Sequence, residues 1–70
     1  MNTFNEYFEK MKEDLPQEAI STLPMLISKE TKQRMMTYPP SFIAGIIKEA
    51  INEINHGSIE KIETLIRKRI

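Results

Sequence analysis

The side chains that could do chemistry in this sequence are one histidine, a set of glutamates, and hydroxyl residues at predicted helix starts. An enzyme needs a nucleophile, an acid–base pair or a metal held in a pocket. His56 stands beside Gly57 at a predicted helix end, where an imidazole is expected to contact the terminal carbonyl groups of the helix rather than take part in catalysis. The sequence therefore predicts no catalytic residue and no enzyme.

The acidic residues show no spacing typical of a metal site. The glutamates in the C-terminal half belong neither to a Glu-x-x-His pair, as in di-metal bundles, nor to a DxDxDG calcium loop. One histidine cannot build a zinc site alone, and the absence of cysteine removes thiolate ligands and disulfides. We predict no metal and no cofactor. The glutamates expected on water-facing helix surfaces are Glu49, Glu53, Glu60 and Glu63.

DNA binding is the alternative function, because residues 42–70 are expected to form a helix, a short turn and a second helix. A recognition helix presents its first residues to bases and phosphates. Here those first turns hold Glu60 and Glu63, and the ten basic and ten acidic residues of the chain cancel. Both observations make nucleic acid an unfavourable partner. The residues that we name for a nucleic-acid contact are Arg67, Lys68 and Arg69, which also suit the negative end of the last helix.

Residues 41–55, with the sequence SFIAGIIKEAINEIN, are the stretch around which the fold is organised. Their apolar side chains fill about half of a helical circumference, whereas a helix that covers one side of a core needs a stripe only about 100° wide. We expect a central helix with more apolar surface than one neighbour covers. Gly45 lies on its polar side, where it would admit close approach of another backbone.

The other helices are marked by local signals. Thr3 and Glu6 have the spacing of a capping box, so a helix is predicted from Phe4, and Pro16 stops it. A second short helix follows Pro16, and Pro24 ends or kinks it.

Three further signals complete the helix prediction. Ser28 is predicted to cap a third helix from Lys29 to about residue 37. The Tyr38-Pro39-Pro40-Ser41 segment breaks the chain before the central helix begins at Pro40 or Ser41. Gly57 and Ser58 then separate the central helix from the last one, residues 59–69.

The sequence thus predicts an all-α fold. It consists of four helices, or five with one short helix, in an orthogonal bundle around residues 41–55, with a C-terminal αα-hairpin and residues 1–70 as a single domain. A chain of 70 residues buries only about 60% of its unfolded surface. Because it has no cysteine, oligomerisation is the remaining way to stabilise so small a core.

The predicted function is a non-enzymatic protein–protein interaction module, that is, a small regulator, adaptor or inhibitor. Its surplus apolar surface is expected to form a homodimer seam or a groove for a partner helix. The residues predicted at this interface are Ile43, Ile47, Ile51, Ile54, Ile59, Ile62, Ile66, Ile70, Met35 and Met36.

Composition also bears on location and origin. The amino terminus is acidic and has no apolar stretch typical of a signal peptide, and no apolar run approaches the ~18 residues of a membrane span. The central helix has only Lys48 as a cation on its polar side, which is too little for adsorption to anionic lipid. We expect a cytoplasmic protein, and the many Ile, Lys, Glu and Asn residues indicate a bacterial or phage gene.

Overall fold

The computed structural model describes residues 3–54 and 59–70, apart from the side chain of Glu18. All regular secondary structure in these ranges is helical, which confirms the all-α prediction. The elements are α1 (Phe4–Glu9), a 3₁₀ segment (Lys12–Asp14), α2 (Gln17–Leu26), α3 (Lys29–Met35), α4 (Pro40–Ile54), a second 3₁₀ segment (Ile59–Lys61) and α5 (Ile62–Arg69). The predicted cap residues His56, Gly57 and Ser58 lie outside the described ranges. The orthogonal arrangement and the C-terminal hairpin stay predictions.

Helix α1 begins as predicted and ends earlier than predicted. The Thr3 hydroxyl accepts the N–H of Glu6, and the Glu6 carboxylate accepts the N–H of Thr3, both at 3.3 Å, so the capping box is formed. The helix stops at Glu9, and the chain tightens into the 3₁₀ segment well before Pro16. Met11 and Leu15 are both buried on either side of that segment. The 3₁₀ segment therefore connects α1 to α2 while both apolar residues beside it stay in the core.

Helix α2 contains Pro24 instead of ending at it. The proline lies in the last turn, and the helix continues only to Leu26. Pro24 has no N–H to donate to the Ile20 carbonyl one turn earlier, and the helix ends two residues after it. Ala19, Leu23 and Ile27 follow one another at a spacing of four residues and are all buried.

Helix α3 starts at the predicted cap and is shorter than predicted. The Ser28 hydroxyl accepts the N–H of Thr31 at 3.3 Å. The helix ends at Met35 rather than near residue 37, because the N–H groups of Thr37 and Tyr38 bond to carbonyls three residues back. The hydroxyl of Tyr7 in α1 reaches the same place and donates to main-chain oxygens of α3 and the following turn.

Helix α4 contributes five residues to the core. It begins at Pro40, and the Pro39 carbonyl accepts N–H groups of its first turn. Its most extensive contact is with α5, which also contacts α2. The predicted last helix begins as the second 3₁₀ segment and becomes α-helical at Ile62. The residues of α4 in the core are Ile43, Ala44, Ile46, Ile47 and Ala50.

Candidate interaction surfaces

The residues predicted at a partner interface fall into two groups. The first group has no exposed surface and lies in the core of the chain itself: Met35, Ile43, Ile47, Ile62 and Ile66. While the chain is folded, these side chains cannot touch a partner, so we correct their assignment from interface to core. The physical reason is the breadth of the α4 stripe, which one chain covers with several of its own helices. The second group is half-buried: Met36, Ile51, Ile54, Ile59 and Ile70.

Three residues of the half-buried group line depressions in the surface. Met36 lines a small depression beside Tyr7 of α1. Ile51 lines another, next to Pro16 at the start of α2. Ile54 faces a larger groove on the α5 side of α4. Burial of the first group thus leaves less apolar surface for a partner than the sequence indicated.

An aromatic side chain outside the predicted interface is the most exposed part of α4's apolar surface. Phe42 is 49% exposed, and its ring stacks on that of Tyr38 with 5.3 Å between centroids and 23° between planes. Phe42 stands at the margin of the apolar stripe, directly after the proline corner. This position at the margin could have indicated an exposed residue from the sequence alone. When an apolar stripe is wider than the core that it covers, the residues at its margin stay in contact with solvent.

Gly45 lies next to Phe42 on the exposed side of α4. A Cβ placed at Gly45 would have no described atom within 4 Å beyond its own surroundings in the helix. No other part of the described chain makes the close approach that the glycine would admit. A shallow depression of about 360 Å³ runs along this side. We call the surface formed by Tyr38, Ser41, Phe42, Gly45 and Glu49 the aromatic face.

The acidic residues that were expected to face water have protein partners that the sequence did not indicate. Arg69 at the end of α5 pairs with Glu53 at 2.9 Å and with Glu49 at 3.7 Å, and it donates to the Leu65 carbonyl. Arg69 is therefore held against α4 rather than available to nucleic acid.

Glu63 of α5 binds the start of α3. Its carboxylate accepts the N–H of Ser28, the cap residue of that helix. In a capping box this acceptor is a Glu or Gln inside the same helix, but α3 has Thr31 at that position. A residue distant in sequence thus completes the box and joins α5 to α3. Hydrogen bonds from the Ser28 side chain and backbone lower the pKa of the Glu63 carboxyl group.

We expect Glu63→Gln to lower the unfolding free energy by about 1 kcal/mol at neutral pH, because an ionised acceptor at the cap becomes a neutral one. A carboxyl group with a lowered folded-state pKa stabilises the fold above its ordinary value of 4.5. This contribution is lost as the pH falls through the lower, folded-state value. In urea denaturation experiments, the difference in unfolding free energy between wild type and variant should therefore shrink as the pH is lowered through the acidic range. Equal stability of the two at neutral pH would contradict the contact.

A groove lies between α4 and α5. It has a volume of about 590 Å³ and is lined by Glu53, Ile54, Lys61, Thr64, Leu65 and Lys68. Ile54 and Leu65 are half-buried, while the two lysines are exposed. We call this surface the α4–α5 groove.

The described residues show no grouping of side chains suited to catalysis or metal binding on these surfaces. Burial raises the pKa of the Tyr7 hydroxyl to about 12, but this hydroxyl donates to main-chain oxygens. Within residues 3–54 and 59–70, no three His, Cys, Asp or Glu side chains are grouped to hold a metal ion. No described helix is long and apolar enough to cross a membrane.

Comparisons with protein-family models, with curated proteins and with solved structures found no match to this chain.

Proposed function

We propose that the protein is a non-enzymatic interaction module, a small regulator, adaptor or inhibitor, which associates as a homodimer through its aromatic face. The observation that carries the proposal is the half-exposed Phe42 ring, stacked on Tyr38 beside the open surface of Gly45. Aromatic side chains of this kind are enriched at the centres of protein interfaces. We propose further that α4 and α5 form the αα-hairpin of an orthogonal bundle, which presents this face.

A second copy suits the aromatic face because of its charges. Of the five residues that define it, only Glu49 is charged, and Arg69 of α5 pairs with its carboxylate at 3.7 Å. A two-fold interface places the same patch on both copies, so a patch of single sign would repel itself. A face whose one charge is paired avoids that repulsion, and the missing side chain at Gly45 lets two helices approach closely.

The size of the face sets the strength of the dimer. Helix α4 has 15 residues, which corresponds to a length of about 22 Å. One helix face of this length covers less than the ~800 Å² per partner that stable complexes bury. We therefore expect a weak dimer, with a dissociation constant on the order of 100 µM.

Phe42→Ser is expected to weaken dimerisation at least about 10-fold, since a central aromatic residue commonly contributes 2 kcal/mol or more to an interface. Sedimentation velocity over a range of protein concentrations measures the change. Met25→Ser is the matched control, because Met25 is 78% exposed on α2 and lies off the aromatic face. Equal dissociation constants for the two variants would contradict this role of Phe42.

Gly45→Gln separates dimerisation from folding. The position has open space for a side chain, so the substitution should stabilise helix α4 by roughly 0.5–1 kcal/mol. The same side chain would hold a second helix away and weaken the dimer. If the variant is more stable as a monomer but has the same dimer dissociation constant as the wild type, the dimer contact must lie at another surface.

A DNA-binding regulator is the second proposed function. Arg67 and Lys68 are exposed, so both can reach phosphate, although, besides the hydrogen bonds from Ser28, the positive charge of Arg67 also lowers the pKa of Glu63. Fluorescence anisotropy with a mixed-sequence DNA duplex at low salt tests it. Binding that weakens steeply with salt and is lost in the double variant Arg67→Gln/Lys68→Gln would support this function, and no binding eliminates it.

A further inference from the structure

The α4–α5 groove combines an apolar floor with two lysines at fixed spacing. Ile54 from α4 and Leu65 from α5 form its half-buried apolar part. Lys61 and Lys68 lie seven residues apart on the α5 side, which is two helical turns or roughly 10 Å. Both lysines are exposed, and neither forms an ion pair with a residue that the structure describes.

The acidic residue of the groove does not neutralise these lysines. Glu53 lines the groove, but its carboxylate pairs with Arg69 at 2.9 Å. Glu63, which is also on α5, binds Ser28 at the start of α3. The two lysines are therefore left to pair with acidic groups from outside the chain.

We propose that the α4–α5 groove binds an amphipathic helix of a partner protein that carries two acidic residues two turns apart with aliphatic residues between them. The aliphatic residues would contact Ile54 and Leu65, and the acidic residues would pair with Lys61 and Lys68. Laying an amphipathic helix into an apolar groove is a common mode of peptide recognition. The proposal rests on the function of an interaction module but uses a surface different from the aromatic face.

A second copy of the chain fits this groove less well than a partner helix. Helix α1 carries Glu6 and Glu9, but Glu6 accepts the N–H of Thr3, Glu9 pairs with Lys12, and the aromatic residues of the helix pack on the core. Helix α4 carries Glu49 and Glu53, and these already pair with Arg69. Neither of these two helices therefore offers both exposed aliphatic residues and unpaired acidic residues on the same face.

Nucleic acid also fits less well. A phosphate backbone gains nothing from the apolar side chains of Ile54 and Leu65. The lysines alone would favour any polyanion, so the combination with an apolar floor is what selects a helix.

The test uses a designed helical peptide as the probe. It has an alanine-rich sequence with two leucines on one face and two glutamates seven residues apart on the flank of that face. The control peptide has lysines in place of the two glutamates. Titration into ¹⁵N,¹³C-labelled protein, followed by NMR, should shift the signals of Ile54, Thr64 and Leu65 with a dissociation constant on the order of 100 µM. The control peptide should bind at least about 10-fold more weakly.

A charge swap makes the test specific. The double variant Lys61→Glu/Lys68→Glu, with folding checked by circular dichroism, should lose at least about 10-fold in affinity for the glutamate peptide and gain affinity for the lysine peptide. Phe42→Ser should bind the glutamate peptide as wild type does. That result would show that peptide binding at the groove does not depend on the aromatic face. Peptide binding could then be observed even if the proposed homodimer does not form.

Three results would overturn the proposal: no groove signals shifting at millimolar peptide, equal affinity for both peptides, or tighter binding of a DNA duplex than of the glutamate peptide at the same sites.

Discussion

Ile47→Ala is expected to lower the unfolding free energy by about 3–4 kcal/mol, the largest effect of any single substitution that we predict. Ile47 has no exposed surface and lies in the middle of α4. Removing its outer carbons leaves a cavity that the surrounding helices can close only in part. A chain of 70 residues has a total stability of roughly 4–10 kcal/mol, so a large fraction of the molecules would unfold under mild denaturing conditions.

Urea denaturation followed by circular dichroism at two protein concentrations measures this loss. Ile51→Ala is the matched control, because Ile51 is one turn further along α4 and only half-buried. We expect it to cost about 1 kcal/mol. Equal losses for the two variants would contradict the assignment of Ile47 to the core. A loss at Ile47 that is absent at low protein concentration and appears only at high concentration would do the same, since it would place the residue in a dimer seam.

Tyr7→Phe is expected to lower the unfolding free energy by about 1–2 kcal/mol. The Tyr7 hydroxyl lies 2.6 Å from the Met35 carbonyl oxygen and 2.7 Å from that of Tyr38, so its single proton is shared between two acceptors. The Met35 carbonyl lies at the end of α3 and also accepts the N–H of Tyr38 at 3.0 Å, whereas the Tyr38 carbonyl lies in the turn that follows. Phenylalanine keeps the ring packing and removes only the donor.

Tyr38→Phe is the control for the Tyr7 variant in thermal denaturation. The Tyr38 hydroxyl donates to the Ile70 main-chain oxygen at 3.3 Å, and this oxygen also accepts from Arg34 at 2.8 Å. The loss expected there is below about 0.5 kcal/mol. Equal losses at both tyrosines would contradict the special role of Tyr7.

The pH dependence of stability gives a second readout for Tyr7. Burial raises the folded-state pKa of Tyr7 from 10.0 to about 12, so the neutral phenol is favoured by folding. This contribution is present below pH 10 and is lost as the pH rises towards 12. The Tyr7→Phe variant should lack that alkaline loss.

Local signals in the sequence predicted where helices begin more reliably than where they end. The capping box at Thr3, the cap at Ser28 and the start of the central helix at Pro40 are confirmed, because each depends on residues within one turn. Helices α1 and α3 end earlier than expected. Those ends depend on contacts made across the fold, such as the hydroxyl of Tyr7 at the end of α3.

The candidate surfaces could be predicted only in part. A wide apolar stripe does not show how many helices of the same chain will pack against it. Ile43 and Ile47 were predicted at an interface but are buried in the core. The edges of the stripe remain accessible: Ile51, one of the predicted residues, is half-buried, and Phe42, which was left out, is 49% exposed. The contact of Glu63 with Ser28 spans 35 residues and has no local sequence pattern.

Sedimentation equilibrium of the wild-type chain tests most directly whether it associates through exposed surface of its own. The weight-average mass should rise from the monomer value of 8.2 kDa towards twice that value as the protein concentration increases from micromolar to millimolar. A mass of 8.2 kDa at every concentration would contradict the proposed homodimer.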